Sequence, residues 1–236
     1  MKKNCLFCLL LFFSCHSAFA DERLDSLLNV LDKTIKEADT YVQIKENKLH
    51  ELKREARKTA PLSIERYHLN NDIYLEYKAY SSDSALHYLN ENLLLARQLN
   101  DKERELKIQL ELSYLLSSIG MYMEAADILN SIDRQTLPTS LLGHYYTCYE
   151  HVYSEAGAAQ PRYKMFASRY VKLSHVYRDS MEVTLDSSSA TYLWLRETQL
   201  REAGKYDEAM EFSDRRLAEA SFGTPQYALV AYQRFR

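Results

Sequence analysis

Four side chains on one predicted helix have the types and spacing for shared chemistry. His144, Cys148, His151 and Glu155 follow one another at intervals of four, three and four, which places all four on one face of a helix over residues 139–157. Imidazole, thiolate and carboxylate are zinc ligands, so the enzyme such a set would make is a metal-dependent hydrolase. One face of one helix rarely completes a tetrahedron, however, because ligands must converge from several directions. The spacing is equally that of an amphipathic core face, where Cys and His are commonly buried. His151 also lacks the His-Glu-x-x-His context of a zinc protease. The sequence therefore predicts no catalytic residue, no metal and no cofactor.

Other catalytic frameworks are missing for a reason rooted in glycine. The chain has five Gly and four Pro in 236 residues, roughly 4 % against an average of about 12 %. Gly120, Gly143, Gly157, Gly204 and Gly223 are never closer than 14 positions. A phosphate loop, a dinucleotide fingerprint or a nucleophile elbow needs glycines two to five apart, where backbone turns sharply or approaches a ligand. Scarce turn formers also exclude a fold of many short strands. The acidic residues, Glu150 and Glu155 among them, are expected on solvated helix faces.

The elements that carry these residues repeat. Gly120-Met-Tyr122-Met-Glu124-Ala125 and Gly204-Lys-Tyr206-Asp-Glu208-Ala209 are one motif, Gly-x-Tyr-x-Glu-Ala, each copy between two amphipathic stretches. Gly takes the left-handed conformation that ends the first helix. Tyr is expected to fill the wedge between the helices, and Ala to let the second approach the first. Ala85 and Ala167 keep the phase without the glycine, so that Ala85, Ala125, Ala167 and Ala209 lie 40, 42 and 42 residues apart. The motif resembles the turn of the tetratricopeptide repeat (TPR). The resemblance implies an all-α solenoid of helix pairs, with helices one to two turns longer than usual in that family.

The expected pairs are 64–80 with 83–99, 101–119 with 121–133, 139–157 with 161–184, and 188–203 with 205–220. Residues 226–236 begin another pair that the sequence does not finish. Before the array, residues 21–62 form a helical segment. Leu24, Leu27, Leu28, Leu31 and Ile35 recur at helical steps, and Leu49, Leu52 and Ala56 mark a polar helix that Thr59-Ala60-Pro61 closes. Ser63 then caps the first repeat helix, and residues 63–236 make the repeat domain.

The first twenty residues read as a signal peptide: Lys2 and Lys3, an apolar run from Cys5 to Phe13, then Ala18-Phe19-Ala20 as the cleavage site. The alternative is lipid attachment at Cys15. Cleavage after Ala20 moves the net charge from −3 to −5, because it removes two lysines and no acid. It also leaves Cys148 as the one cysteine, so the exported chain is held by its apolar core without a disulfide. A mildly acidic chain with no basic domain speaks against nucleic acid as partner.

In a TPR array the first helices line a concave groove. Carried over by phase, that rule gives a partner-binding groove of Tyr67, Asn70, Tyr74, Tyr77 and Lys78 from the first pair. Lys107 and Tyr114 follow from the second, Tyr145 and Tyr149 from the third, and Trp194, Thr198 and Arg201 from the fourth. Nineteen tyrosines suit contact surfaces. The partner is a protein or peptide, and a glycan- or nutrient-binding surface lipoprotein is the alternative function.

Residues 21–236 also resemble bacterial envelope proteins that continue into a transmembrane helix and a cytoplasmic domain, described as transcriptional regulators. Leu24-Asp-Ser-Leu-Leu28, Leu31-Asp-Lys33, Asp83-Ser-Ala-Leu-His-Tyr-Leu-Asn-Glu-Asn92, Leu95-Ala-Arg-Gln-Leu-Asn100 and Tyr122 to Leu137 carry that likeness. It implies an exported, periplasmic sensor half, attached to the membrane only through a missing C-terminal anchor or through lipidation.

Overall fold

Helices alternate with tight turns because each helix ends where the backbone is forced to reverse. A computed structural model of the protein describes residues 28–29, 32–159, 162–221 and 224–234. The expectations for Ala18, Ala20 and Cys15 lie outside the described residues. Helix α1 spans Ala38–Lys58, followed by α2 (Ile64–Tyr77), α3 (Ser82–Gln98), α4 (Lys102–Ser118) and α5 (Tyr122–Ser131). After a 3-10 turn at Arg134–Thr136 come α6 (Thr139–Ala159), α7 (Lys164–Thr184), α8 (Ala190–Glu202), α9 (Tyr206–Glu219) and α10 (Pro225–Arg234). Among the described residues no strand occurs, and no helix is long and apolar enough to cross a membrane. The fold is an all-α TPR-like stack of helix pairs.

The described residues fall into two compact units that divide between Leu52 and Lys53, inside α1. In the second unit, α2 pairs with α3, α4 with α5, α6 with α7, and α8 with α9. Side-chain caps start the first helices: Ser63, Asp101 and Ser189 each accept the backbone N–H three residues on. Inside pairs two and four the entry is different. Met121 N–H donates to Leu116 O and Lys205 N–H to Leu200 O, both at 2.9 Å, while Gly120 and Gly204 take φ of +88° and +74°. This is the Schellman ending, with glycine where a Cβ is disfavoured. The sequence motif does not mark a third copy: Asn100, at φ +54°, ends α3 in the same way, with Asp101 N–H on Ala96 O at 2.9 Å.

Ala85, Ala125 and Ala209 are fully buried, so the alanine of the motif does let its two helices close up. The tyrosine of the motif behaves differently in its two copies. Tyr122 is half-buried, whereas Tyr206 is 64 % exposed and fills no wedge. It occupies the first position of α9, at the turn end of the pair, where solvent reaches the ring.

Pairs two to four share one apolar core that includes Leu110, Leu129, Leu141, Cys148, Met181 and Leu195. Each fully buried Leu there stabilises the fold by about 1.5–3 kcal/mol. Gly143 sets how closely α6 approaches the end of α7. A Cβ on it would lie 2.7 Å from Leu185 Cδ2 and 3.3 Å from the Thr184 carbonyl oxygen.

Candidate functional site

Helix α6 has two inward faces, and they divide the four residues that sequence puts together. Cys148 turns into the core, fully buried, with its Sγ donating to the Leu110 carbonyl at 3.4 Å. Burial pushes its thiol well above the usual range, so it is not a thiolate ligand. His144, His151 and Glu155 instead line a cleft of about 380 Å³. Among the described residues no three His, Cys, Asp or Glu side chains are grouped to hold a metal ion.

The cleft lies on the face formed by the first helices of the pairs. Lys78 after α2, Tyr114 on α4 and Trp194 on α8 line it beside the α6 residues, and Arg216 of α9 and Leu229 of α10 line it as well. Its volume lies in the range of small-ligand pockets, so it has room for a short segment of a partner. Aromatic surface comes from Tyr114, stacked on His151 at 4.0 Å between centroids, and from the half-buried Trp194.

Lys78 and His144 of the cleft lining belong to a polar cluster centred on Glu111, a residue that no sequence motif marks. The Tyr74 hydroxyl donates to Glu111 Oε2 at 2.6 Å and Lys78 Nζ donates to the same oxygen at 3.2 Å. His144 Nε2 stands 3.7 Å from Oε1. Burial raises the Glu111 carboxyl, but Lys78, His144 and the Tyr74 hydroxyl outweigh it and leave it below the ordinary value. His144 itself is lowered, chiefly by burial, so at neutral pH Lys78 is the cation that compensates Glu111. Burial, with Lys78 adding to it, lowers His151 to about 4, and burial pushes the Tyr114 hydroxyl up to about 12. At neutral pH His144, His151 and Tyr114 are therefore uncharged, and Lys78 and Glu111 form a compensated ion pair.

Two buried ion networks hold the walls. Arg178 of α7 donates through Nε to Glu150 of α6 at 2.8 Å and through Nη1 to Glu202 of α8 at 2.7 Å. Glu150, expected to be solvated, is buried at 2 % exposure, because it faces the arginine that crosses from α7. On α8, Glu197 accepts from Arg216 Nη1 at 2.6 Å and from Arg201 at 2.9 Å. Arg216 Nη2 continues to Gln233 of α10 at 2.7 Å. Isolated ionised groups so buried would be costly, and pairing is what makes them tolerable.

Of the twelve residues assigned to the groove by phase, Lys78, Tyr114 and Trp194 line the cleft. Lys107 is exposed, and Thr198 and Arg201 are half-buried on α8. The other six are core: Tyr67, Asn70, Tyr74, Tyr77, Tyr145 and Tyr149 are each less than 9 % exposed. The five tyrosines are buried because long side chains at these positions reach across to neighbouring helices. Tyr77 accepts from Lys53 on α1 at 2.6 Å. Tyr149 stacks on Tyr177 of α7 at 4.6 Å, and its hydroxyl donates to Asn130 of α5 at 2.8 Å. In exchange the cleft recruits His144, His151 and Glu155, whose four- and seven-residue spacing signals a shared face without saying which way the face looks.

The family model of the SusR N-terminal TPR domain matches residues 35–236. No curated protein matches the chain, and no solved structure does.

Proposed function

Because the chain belongs to the family of SusR N-terminal TPR domains, we propose that it is the exported sensor module of a membrane-anchored regulator, and that its cleft receives a segment of a peptide or protein partner. As a TPR protein it is a helical-repeat interaction module. The observation that carries the binding reading is the convergence of α4, α6, α8 and α10, with Lys78 after α2, on one cleft that holds Tyr114, His151 and Trp194. Aromatic rings offer large contact area at small entropic cost, and Trp and Tyr lead the residues that dominate interfaces. The polar groups between them fix the orientation of what enters. Export rests on the signal-like start of the sequence, and the regulatory role rests on the family likeness.

Photo-crosslinking in the native host tests the binding site. A crosslinking residue at Thr191, inside the cleft, should give a discrete adduct that Trp194→Ala abolishes. The same residue at Val183, which is 82 % exposed on α7, should not give it. Equal adducts from both positions, or none from Thr191, would overturn the reading. Mass spectrometry of the mature N-terminus tests export: a chain beginning at Asp21 supports it, and an intact Met1 overturns it.

A further inference from the structure

The apolar row of the N-terminal helix runs in sevens. Ile35, Val42, Leu49 and Ala56 are spaced by seven, and Ala38, Lys45 and Leu52 follow three residues behind the first three. The sequence keeps both rows upstream, with Leu28 in the first and Leu24 and Leu31 in the second. This is the a/d seam of a coiled coil, sustained beyond what a single repeat helix requires. The backbone supports it, because Glu37 N–H on Lys33 O at 3.0 Å and Tyr41 N–H on Glu37 O at 3.3 Å carry the helix from residues 32–36 into α1.

The seam changes character along its length. Leu49 and Ala56 are buried at 1 % and 6 %, whereas Leu28, Ile35 and Val42 are exposed at 47 %, 61 % and 46 %. The opposite side holds polar pairs one turn apart, Lys33 with Glu37 at 3.9 Å and Gln43 with Asn47 at 2.9 Å, as a solvated face does.

We propose that the exposed row Ile35, Ala38, Val42 and Lys45 is an interface with a second copy of this chain, the two helices parallel and in register. The a positions Ile35 and Val42 are β-branched, as in two-stranded parallel coils, while the d positions are Ala38 and Lys45 in place of leucine; parallel register places Ile35 on Ile35 and Val42 on Val42. The edges choose the orientation. In a parallel pair Thr34 faces Asp39 of the second copy and Tyr41 faces its Glu46, each a hydroxyl opposite a carboxylate. Lys45, a charge within the seam, lies beside Glu46 of the second copy. An antiparallel pair would instead bring Asp32, Asp39 and Glu46 of one edge against the same acids, and like charges there destabilise. The first like-charged parallel contact, Lys48 against Lys53, falls where Leu49 is already buried within its own chain, and there the pairing ends. This interface is independent of what the cleft binds.

Light scattering on the purified chain should give the mass of two copies. Ile35→Glu combined with Val42→Glu should halve it, while the helical circular-dichroism signal of the repeat pairs persists. Orientation has its own measurement. Ile35→Cys and Val42→Cys, made singly in the chain that starts at Asp21, should each form a disulfide between copies with oxidised glutathione; Cys148, the one other cysteine of that chain, is buried and stays out of the reaction. A single-chain mass for the parent, or a two-copy mass that survives the double glutamate change, overturns the proposal. So does failure of both cysteine variants to crosslink.

Discussion

Tyr114 lies flat on His151, ring planes 12° apart and centroids 4.0 Å apart, and this stack holds an imidazole that cannot readily take a proton. Ser118 Oγ sits 2.9 Å from His151 Nε2 while its hydroxyl donates to the Tyr114 carbonyl at 2.9 Å. A hydroxyl has one proton to give, so His151 donates its Nε2–H to Ser118 and keeps the other nitrogen bare. The ring is neutral, as burial and the nearby Lys78 demand.

That neutrality makes stability depend on pH. His151 has its folded pKa lowered to about 4 from the ordinary 6.5. Between those values the unfolded chain binds a proton that the folded chain does not, so stability falls as pH drops from about 6.5 towards 4. One unit is about 1.4 kcal/mol, and allowing for partial exposure the loss attributable to this ring is about 2 kcal/mol. His151→Phe keeps the stack and removes the titration. Urea melts at pH 7 and pH 5 should show a smaller difference for the variant than for the parent, and an unchanged difference would refute the assignment.

Arg178 carries a second pH signature. It joins Glu150 on α6 and Glu202 on α8, with its own side chain 10 % exposed and that of Glu150 3 % exposed. Burial already raises the Glu150 carboxyl above its ordinary value, against the pull of Arg178. Arg178→Met leaves that carboxylate without its cation, which should cost about 3–5 kcal/mol at neutral pH. A raised folded pKa means stability is retained at low pH and lost as pH rises through it. The penalty should therefore shrink towards pH 5, as Glu150 takes up a proton. A penalty equal at both pH values would mean that the arginine acts by packing alone.

Much of the fold is legible in the sequence because its turns are written in residue types with few alternatives. The 40- to 42-residue alanine phase falls in the second helix of each pair, and at the fully buried Ala85, Ala125 and Ala209 only a small side chain lets two helices come that close. The groove is less legible. A helix has one apolar and one polar side in a pattern, but Tyr belongs to either. Tyr74 hides its ring completely while its hydroxyl finds Glu111, whereas Tyr114, forty residues on in the same phase, reaches the cleft. Periodicity fixes the face, and only the neighbouring helices decide where that face looks. Glu111 and Arg178 escape notice for the same reason, because each acquires its meaning from partners 30 or so residues away.

The turns themselves allow a graded comparison. Gly120 and Gly204 sit at positive φ, and a Cβ at either would meet nothing within 4 Å. Alanine there is opposed by backbone strain alone, about 1–2 kcal/mol for a left-handed residue. Asn100 has the same role at φ +54° and tolerates it better than alanine does. Thermal or urea melts should therefore place Gly120→Ala and Gly204→Ala about equally below the parent. Asn100→Gly should be level with the parent or above it. If Gly120→Ala matched the parent, the strained turn would have to relax at no cost.

Gly143 and Gly157 separate close approach from helix propensity, since both lie inside α6. A Cβ on Gly157 would find its nearest neighbour, Tyr170 Cβ, at 3.5 Å, an ordinary contact. Gly157→Ala should then raise stability by about 0.5–1 kcal/mol, the gain of alanine over glycine in a helix. A Cβ on Gly143 would press on Leu185 at 2.7 Å and on the Thr184 carbonyl at 3.3 Å. Leu185 could rotate, but the carbonyl closes α7 and has to shift with the backbone. Overpacking of this kind costs about 1–3 kcal/mol, more than the propensity gain. Urea melts should rank Gly157→Ala above the parent and Gly143→Ala below it, and equal gains at both positions would show that α6 and α7 have room to part.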